Sequence, residues 1–195
     1  EISKKIKTMA RNPKGDPIHG WLIIDKPLGV TSSSIVSRVR RLYGAAKAGH
    51  GGTLDPMASG LLPVAFGEAT KTISYVMNGL KIYQFTIRWG ESRTTDDVEG
   101  EIIASSERRP DIIAIKNALK FFVGEIEQVP PLYSAIKVNG KRAYDLARNN
   151  IPVKLKPRII YVERFTLTGV PDSDHATFEV VAGKGSYMRG LARDL

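Results

Sequence analysis

Residues 49–60 read GHGGTLDPMASG, and this glycine-rich stretch indicates fold and chemistry more directly than any other part of the chain. Gly51 and Gly52 permit positive φ and a close approach of the backbone to a ligand. Pro56 biases Asp55 away from helical geometry towards extended geometry. The stretch therefore predicts a loop that presents the Asp55 carboxylate as a nucleophile or base, with an ordinary Asp-Pro turn as the alternative. The Walker pattern of phosphate-binding loops is absent.

The segments on either side of this loop alternate between strand and helix patterns. Residues 44–60 as a whole read as loop, residues 92–100 as a polar turn, and Asn139-Gly140 as a hairpin turn. Strands are predicted at 21–25, 61–66, 81–89, 158–169 and 176–182, and helices at 32–43, 68–78, 111–122 and from about 186. Ile73, Val76 and Met77 are expected to face inward from the second helix.

This mixed order of elements favours an α+β fold over a regular βαβ repeat. We predict one compact unit over residues 19–195, preceded by a basic flexible arm at 1–18. The helix at 32–43 carries Arg38, Arg40 and Arg41 on its polar face, as a phosphate-binding surface or simply a solvated one.

Composition narrows the classes of function. The chain has 195 residues, with 29 Lys and Arg against 20 Asp and Glu, a net charge of +9 that favours a polyanionic partner such as nucleic acid. The absence of cysteine excludes disulfides, thiolate zinc sites and a cysteine nucleophile, and three histidines offer little for a multi-histidine metal site. No apolar run approaches the roughly 20 residues of a membrane span, and no signal-peptide core is visible. We therefore expect a cytoplasmic protein without a metal.

Three separated motifs occur in one order along the chain: HGWLIIDKP at 19–27, the loop at 49–60, and GKGSYMR at 183–189. Together they resemble the TruB family of tRNA pseudouridine synthases, from about residue 18 to residue 195. The resemblance implies a pseudouridine synthase fold, with a central mixed, mostly antiparallel sheet flanked by helices and an active-site cleft across its middle. It also implies isomerisation of the T-loop uridine of tRNA (position 55) to pseudouridine by base flipping, without a cofactor or metal.

The resemblance assigns roles to three catalytic positions. Asp55 matches the essential aspartate, Tyr83 the tyrosine that stacks on the target base, and Arg189 the arginine that pairs with the aspartate. From the residues alone, Tyr83 reads as a core aromatic on the apolar face of its strand, and Arg189 reads as a surface charge at the start of a helix. The chemical route through Asp55 stays open between attack on the sugar, addition to the base and removal of a ribose proton.

The resemblance further implies residues that bind substrate or support the site. The substrate-binding positions are His50, Tyr187, Asp97 and Lys137, and the supporting positions are Lys26, Pro27 and Gly52. Asp97 is expected to bridge to Arg189, although Asp96 lies beside it. Lys137, together with Lys141 and Arg142, faces RNA or forms a solvated hairpin.

Two departures from the family pattern are visible. Gly51 stands where bacterial members frequently carry threonine or alanine, and the chain ends at Leu195 whereas family catalytic domains continue, often into a PUA-type domain. The resemblance therefore implies that the C-terminal part is absent. The expected partner is the T-arm stem-loop of tRNA, bound by a monomer with no membrane role. The alternatives are a guide-RNA-dependent relative and a non-catalytic T-loop RNA-binding or folding module.

Overall fold

The computed structural model describes residues 15–138, 140–149 and 151–195. Contacts within the chain divide it into two compact units, with the boundary between Asn78 and Gly79. Most of the predicted N-terminal arm lies outside the described residues, and the catalytic domain predicted over 19–195 stays a prediction. No helix in the described part of the chain is long and apolar enough to span a membrane.

The first unit is a three-stranded antiparallel sheet with helices. Its elements are β1 (Gly20–Lys26), α1 (Ser32–Leu42), β2 (Ala48–His50), β3 (Gly60–Phe66), a 3-10 segment (Gly67–Thr72) and α2 (Ile73–Asn78). The strand order is β1-β3-β2. The central strand β3 supplies Leu62, Val64 and Phe66 to the core, against which Ile35 of α1 packs. The Thr31 hydroxyl caps α1 by accepting a hydrogen bond from the Ser34 N–H at 3.1 Å.

Three sequence predictions for this unit are wrong in part. The segment 44–60 is not loop throughout, because residues 48–50 pair with β3 as the short strand β2. The segment 68–78 is not one α-helix but begins as a 3-10 segment. The Thr70 and Thr72 hydroxyls donate to the carbonyls three residues back, which competes with regular α-helical bonding. Val76 and Met77 are also 36% and 43% exposed rather than inward.

The second unit is built on a four-stranded antiparallel sheet, whose strands in spatial order are Lys81–Arg88 (β4), His175–Ala182 (β11), Arg158–Asp172 (β10) and Gly124–Gln128 (β7). Its strands are β4 (Lys81–Arg88), β5 (Glu91–Arg93), β6 (Ile102–Ser105), β7 (Gly124–Gln128), β8 (Lys137–Val138), β9 (Lys141–Arg142), β10 (Arg158–Asp172) and β11 (His175–Ala182). Its helices are α3 (Ile112–Leu119), followed by a 3-10 turn (Lys120–Phe122), α4 (Ala143–Arg148) and α5 (Met188–Asp194). Strands β5–β6 and β8–β9 form two small separate hairpins.

Aromatic side chains fill the core of the second unit. Phe85 of β4 stacks on Phe178 of β11 with ring centroids 5.8 Å apart, and Phe165 of β10 meets both rings. Ile115 and Leu119 of α3 are buried in the same cluster. The burial of alternate β4 residues follows from the two-residue period of strand side chains.

The predicted fold class and the longer predicted elements are confirmed, whereas several short elements were not predicted. The α+β class with an antiparallel sheet, the helix at 111–122 and the strands at 81–89, 158–169 and 176–182 all appear. The polar turn at 92–100 instead begins inside β5, and β6, β7 and α4 were not predicted. Strand β7 reads GEIEQ, whose alternate glutamates suit an exposed edge strand but give no apolar run to detect. The predicted hairpin at 139–140 joins β8 and β9, with Asn139 outside the described residues.

Candidate active site

Asp55 lies in the loop between β2 and β3, in a turn closed by main-chain hydrogen bonds. Its carbonyl accepts from the Ala58 N–H at 3.0 Å. The next carbonyl, that of Pro56, accepts from the Gly29 N–H at 2.8 Å, which ties the loop to the turn that follows β1. The loop backbone is thereby held on both sides of the half-buried carboxylate.

Lys26 lies beneath this loop with its side chain fully buried. Its ammonium donates to the carbonyls of Pro27 (2.9 Å) and Val30 (2.8 Å) and, at 3.4 Å, to that of Pro56. Burial lowers the pKa of Lys26, and the negative charge of Asp55 opposes that shift. One cation thus joins the end of β1, the following turn and the loop that carries Asp55.

Ser32, the first residue of α1, holds the loop from the other side. The Ser32 hydroxyl donates to the Leu54 carbonyl at 3.0 Å and accepts from the Leu54 N–H at 2.9 Å. Because Ser32 is only 2% exposed, these bonds have no competition from bulk water. The main chain immediately before Asp55 is therefore fixed by a buried hydroxyl, a contact that the sequence did not predict.

His50 and Gly52 form the entry to the loop. The imidazole Nδ1 of His50 donates to the Gly52 carbonyl, which assigns the proton to Nδ1 because a carbonyl can only accept. Gly52 has φ of +153°, a backbone conformation that favours glycine. A pocket of about 300 Å³ opens beside His50 between α1 and β2. It is lined by Ser33, Val36, Ser37, Arg40, Ala48, Gly49 and His50.

Tyr83 lies on the core-facing side of β4, opposite Val180 of β11. Its side chain is half-buried, and this desolvation raises the pKa of the phenol. Within the described residues, Tyr83 takes no part in the aromatic pairs that fill the core. The ring therefore extends the apolar face of β4 beyond the packed aromatic cluster.

Arg189, on the first turn of α5, is held by main-chain carbonyls of the second unit. One terminal nitrogen, Nη1, donates to the Thr95 carbonyl at 2.8 Å, and Nη2 donates to the Tyr133 carbonyl at 2.9 Å. Its Nε lies 3.6 Å from Oδ2 of Asp97 in a largely buried ion pair. A fixed, planar group of donors is what distinguishes arginine from lysine at such a site.

The structure distinguishes the two neighbouring aspartates. Asp97 faces Arg189, and its Oδ1 accepts from the Thr95 hydroxyl and, at 3.0 Å, from the Glu99 N–H. Asp96 instead pairs with Arg193, Oδ2 to Nη1 at 2.9 Å. Burial raises the pKa of Asp96, and Arg193 opposes that shift. The predicted bridge to Arg189 is therefore made by Asp97. The predicted pairing of Arg189 with Asp55 stays a prediction.

Tyr187 is held through its main chain by Gln128, the last residue of β7. The Gln128 amide Nε2 donates to the Tyr187 carbonyl at 3.0 Å, and its Oε1 accepts from the Tyr187 N–H at 2.9 Å. The buried hydroxyls of Ser134, which follows Gln128 in the chain, and of Ser186, which directly precedes Tyr187, have no hydrogen-bond partner among the described residues. Such groups are rare in protein interiors.

Lys137 lies on the β8–β9 hairpin, where it pairs in register with Arg142. Lys137, Lys141 and Arg142 are all exposed. The Arg142 and Arg148 guanidinium carbons lie 5.7 Å and 5.5 Å from the centre of the Tyr144 ring, within cation–π range. This hairpin and α4 together form a basic surface.

The first unit brings Lys26, Pro27 and Asp55 into one support structure, and the second brings Asp97, Tyr187 and Arg189 into another. Sequence reasoning missed Ser32, Gln128 and the carbonyls of Thr95 and Tyr133. A polar residue within a strand or helix carries no signal for a distant main-chain partner, and a carbonyl is common to every residue. No group of three or more His, Asp or Glu side chains suited to a metal ion occurs within the described ranges.

The chain is similar to several known proteins. A family model described as TruB family pseudouridylate synthase (N terminal domain) matches residues 40–188. The chain is similar to tRNA pseudouridine synthase B of Rhodospirillum rubrum, at 59% identity over 96% of the chain and 61% of that protein. It is similar to the protein of the same name from Agrobacterium fabrum, at 55% identity over 100% of the chain and 62% of that protein. The chain therefore spans about three fifths of the length of these curated relatives.

Solved structures show the same fold. A chain in the crystal structure of a Cbf5–Nop10–Gar1 complex matches with a TM-score of 0.63 and 27% identity, covering 93% of this chain and 49% of that one. A chain in the archaeal box H/ACA sRNP Nop10–Cbf5 complex matches with a TM-score of 0.60 and 24% identity, covering 97% and 49%. The second likeness supports the fold alone.

Proposed function

Since the chain belongs to the TruB family of pseudouridylate synthases, we propose that it isomerises the T-loop uridine of tRNA to pseudouridine. The observation that carries the proposal is the Asp55 turn, which a buried lysine and a buried serine hold through its main chain. A carboxylate on a fixed loop suits a group that acts directly on the substrate. The names of the two curated relatives support tRNA as the substrate.

The proposed reaction leaves the elemental composition of the nucleotide unchanged. The bond between ribose C1′ and uracil N1 breaks, the base turns, and a bond forms between C1′ and C5. The proton that leaves C5 is balanced by one gained at N1, so no oxidant or reductant is required. We assign Asp55 as the essential group, acting as nucleophile or base.

Tyr83 is assigned to the flipped base. A uridine in a folded loop must leave its stack to reach an enzyme group, and stacking on an aromatic ring offsets part of that cost. The half-buried Tyr83 ring, outside the packed aromatic pairs of the described core, suits this role. Arg189 is assigned to the reacting nucleotide as a fixed positive charge, with Tyr187 and Asp97 beside it.

Basic surfaces in each unit are assigned to the RNA backbone. In the first unit, Arg40 and His50 line the pocket between α1 and β2. In the second, Lys137 and its neighbours extend along the β8–β9 hairpin. Such contacts neutralise phosphates and predict binding that weakens steeply with salt. We further propose that the chain acts on the T-arm stem-loop as a monomer, in the cytoplasm where tRNA is modified.

The stand-alone enzyme is favoured over a guide-RNA-dependent one by sequence. The relatives named tRNA pseudouridine synthase B share 59% and 55% identity with the chain, whereas the matched chain of the Cbf5–Nop10–Gar1 complex shares 27%. A non-catalytic T-loop binding module would not need a carboxylate on a turn held this firmly. Isomerisation by the chain itself is therefore the conclusion we put to the test.

The experiment measures tritium release from T-loop tRNA labelled at uracil C5. The chain is compared with Asp55→Asn and with Asp25→Asn, which changes an exposed aspartate of β1 in the same unit. We expect release by the chain and by Asp25→Asn, and a loss of about 10²- to 10⁴-fold or more in Asp55→Asn. Filter binding of the same tRNA should change little in both variants. Tight binding without release by the unaltered chain would contradict the proposal and favour the binding module.

A further inference from the structure

Gln128 is a nearly fully buried polar side chain that contacts the start of α5. Only 2% of its surface is exposed, and its amide satisfies both main-chain groups of Tyr187. The two bonds, at 3.0 and 2.9 Å, use the amide's donor and acceptor together. The Gln128 amide therefore bonds the Tyr187 main chain as a peptide group of a neighbouring strand would.

The residue that Gln128 holds is the N-cap of α5. Tyr187 makes no side-chain cap to this helix, and the contact with Gln128 is made through its main chain. The Tyr187 carbonyl also accepts the first helical hydrogen bond, from the Leu191 N–H at 3.0 Å. Arg189 lies inside that first turn. The position of Gln128 therefore sets where the helix that carries Arg189 begins.

Gln128 is itself held in place. It pairs with Arg158 in the β7–β10 ladder. Gly190 leaves space for its amide, since a Cβ at that position would lie 2.8 Å from Nε2. One residue further along, the Val129 carbonyl accepts from Nη2 of Arg193 at 2.7 Å, a second link between this strand end and α5.

We propose that Gln128 is a positioning residue for the isomerisation, fixing the first turn of α5 so that Arg189 keeps its bonds to the Thr95 and Tyr133 carbonyls. Gln128 acts through Tyr187 and does not contact the substrate. The catalytic consequence rests on the proposed function, whereas the positioning of Arg189 is a property of the free chain.

Two substitutions separate positioning from mere packing. Gln128→Met fills nearly the same space and removes both hydrogen bonds. Gln128→Glu keeps the acceptor, loses the donor and, when ionised, sets a carboxylate oxygen against the Tyr187 carbonyl. Protonation of that carboxyl restores an O–H donor, and burial favours the protonated form. The matched control is Gln84→Met, which alters an exposed glutamine of β4 in the same unit.

Steady-state tritium release gives the first test. We expect Gln128→Met to lower kcat by about 10- to 10²-fold with KM within about 3-fold, because small displacements of a catalytic group are costly. Gln84→Met should match the unaltered chain. The activity of Gln128→Glu relative to the unaltered chain should rise as the pH falls from 8 to 6. Unchanged kcat in Gln128→Met, or a Gln128→Glu defect independent of pH, would overturn the proposal.

Hydrogen exchange by NMR in the free chain gives the second test, which needs no activity. In Gln128→Met, exchange of the Arg189 Nη–H groups that bond the Thr95 and Tyr133 carbonyls should accelerate by about 10-fold or more through local opening, while amides of the β10–β11 pairing keep their protection. Equal acceleration throughout the sheet, or none at Arg189, would contradict the proposal. If the unaltered chain releases no tritium, the proposed function fails, and this measurement alone decides the role of Gln128.

Discussion

In the first unit a serine hydroxyl pairs with both main-chain groups of Leu54, and in the second a glutamine amide does the same for Tyr187. Leu54 directly precedes Asp55, and Tyr187 lies two residues before Arg189. Ser32 and Gln128 are each 2% exposed. Both units thus fix the main chain next to a proposed catalytic side chain with one buried polar group.

The units differ in what the proposed catalytic side chain itself contributes to the structure. In the first, Lys26 and Ser32 bond the main chain on either side of Asp55. In the second, the Arg189 guanidinium itself bonds the carbonyls of Thr95 and Tyr133. Support and the proposed chemistry are therefore separable around Asp55 and combined in Arg189. The following substitutions test this difference.

Among the substitutions that compare the two units, Arg189→Lys should lower activity most, because one change removes both support and the proposed chemistry. A lysine cannot reach the Thr95 and Tyr133 carbonyls with a planar pair of donors. We expect tritium release to fall by about 10²- to 10³-fold, the usual cost of losing a fixed donor at a reacting centre. The free energy of unfolding should fall by about 1–3 kcal/mol as carbonyls lose partners. Arg164→Lys, at an exposed position of β10, is the control and should leave both unchanged.

Lys26→Met should affect stability more than any other support residue in the first unit. It removes a charged donor from the Pro27 and Val30 carbonyls, and the relief of burying an ammonium offsets part of the loss. We expect a decrease of about 2–4 kcal/mol in the free energy of unfolding, measured with urea. A variant as stable as the unaltered chain would show that the loop does not depend on this cation.

The pH dependence of the same pair of proteins tests the burial of Lys26. Its folded pKa is lowered, so on raising the pH the folded state releases this proton before the unfolded state does. The unfolded state then binds more protons, and stability rises with pH up to the unfolded value near 10.5. The stability of the unaltered chain relative to Lys26→Met should therefore grow as the pH approaches 10. A constant difference between pH 7 and 10 would argue against the lowered pKa.

Ser32→Ala tests whether support in the first unit is separable from chemistry. The Leu54 N–H and carbonyl lose their shared partner, which should cost about 1–3 kcal/mol of stability. Ser37→Ala, at an exposed position of α1, should cost nothing measurable in thermal melts. At temperatures where the variant stays folded, its tritium release should fall far less than that of Arg189→Lys. An equal fall would erase the contrast between the units.

Asp96 offers the smallest effect and a check on the assignment of the two aspartates. Its φ of +58° is left-handed, a conformation that asparagine tolerates and alanine does not. We expect Asp96→Ala to be about 1–2 kcal/mol less stable than Asp96→Asn in urea unfolding, since only alanine is strained there. Asp96→Asn should keep nearly full tritium release because Asp97, not Asp96, faces Arg189. Loss of activity in Asp96→Asn would reverse that assignment.

Much of the fold was accessible from local patterns. The alternation at 81–89 and the helical spacing of Ile112, Ile115 and Leu119 are repeated signals, and both produced the expected elements. Strand β2 was missed because three residues with two small side chains acquire strand geometry only from pairing with β3. The start of the helix at 68–78 was wrong because two threonine hydroxyls redirect its hydrogen bonds.

The candidate site likewise contains residues that the sequence predicts and residues whose contacts it does not. Asp55, Tyr83 and Arg189 were predicted from the family resemblance, and their catalytic roles stay predictions. The contacts of Ser32 and Gln128 were not predicted, since nothing local distinguishes a serine that bonds residue 54 from one that faces water, such as Ser37. Their contribution depends on contacts made after the chain has folded.

The two buried contacts also differ in when they can be made. Ser32 and Leu54 are 22 residues apart in sequence, whereas Gln128 and Tyr187 are 59 apart. Closing the longer segment costs about 0.9 kcal/mol more chain entropy, by the logarithmic dependence on loop length. On a ribosome, the Ser32 contact can form once residue 54 has emerged, long before residue 187 is synthesised. The carboxylate half of the chemistry would thus be assembled early, and the arginine half would be among the last parts of this chain to reach its final geometry.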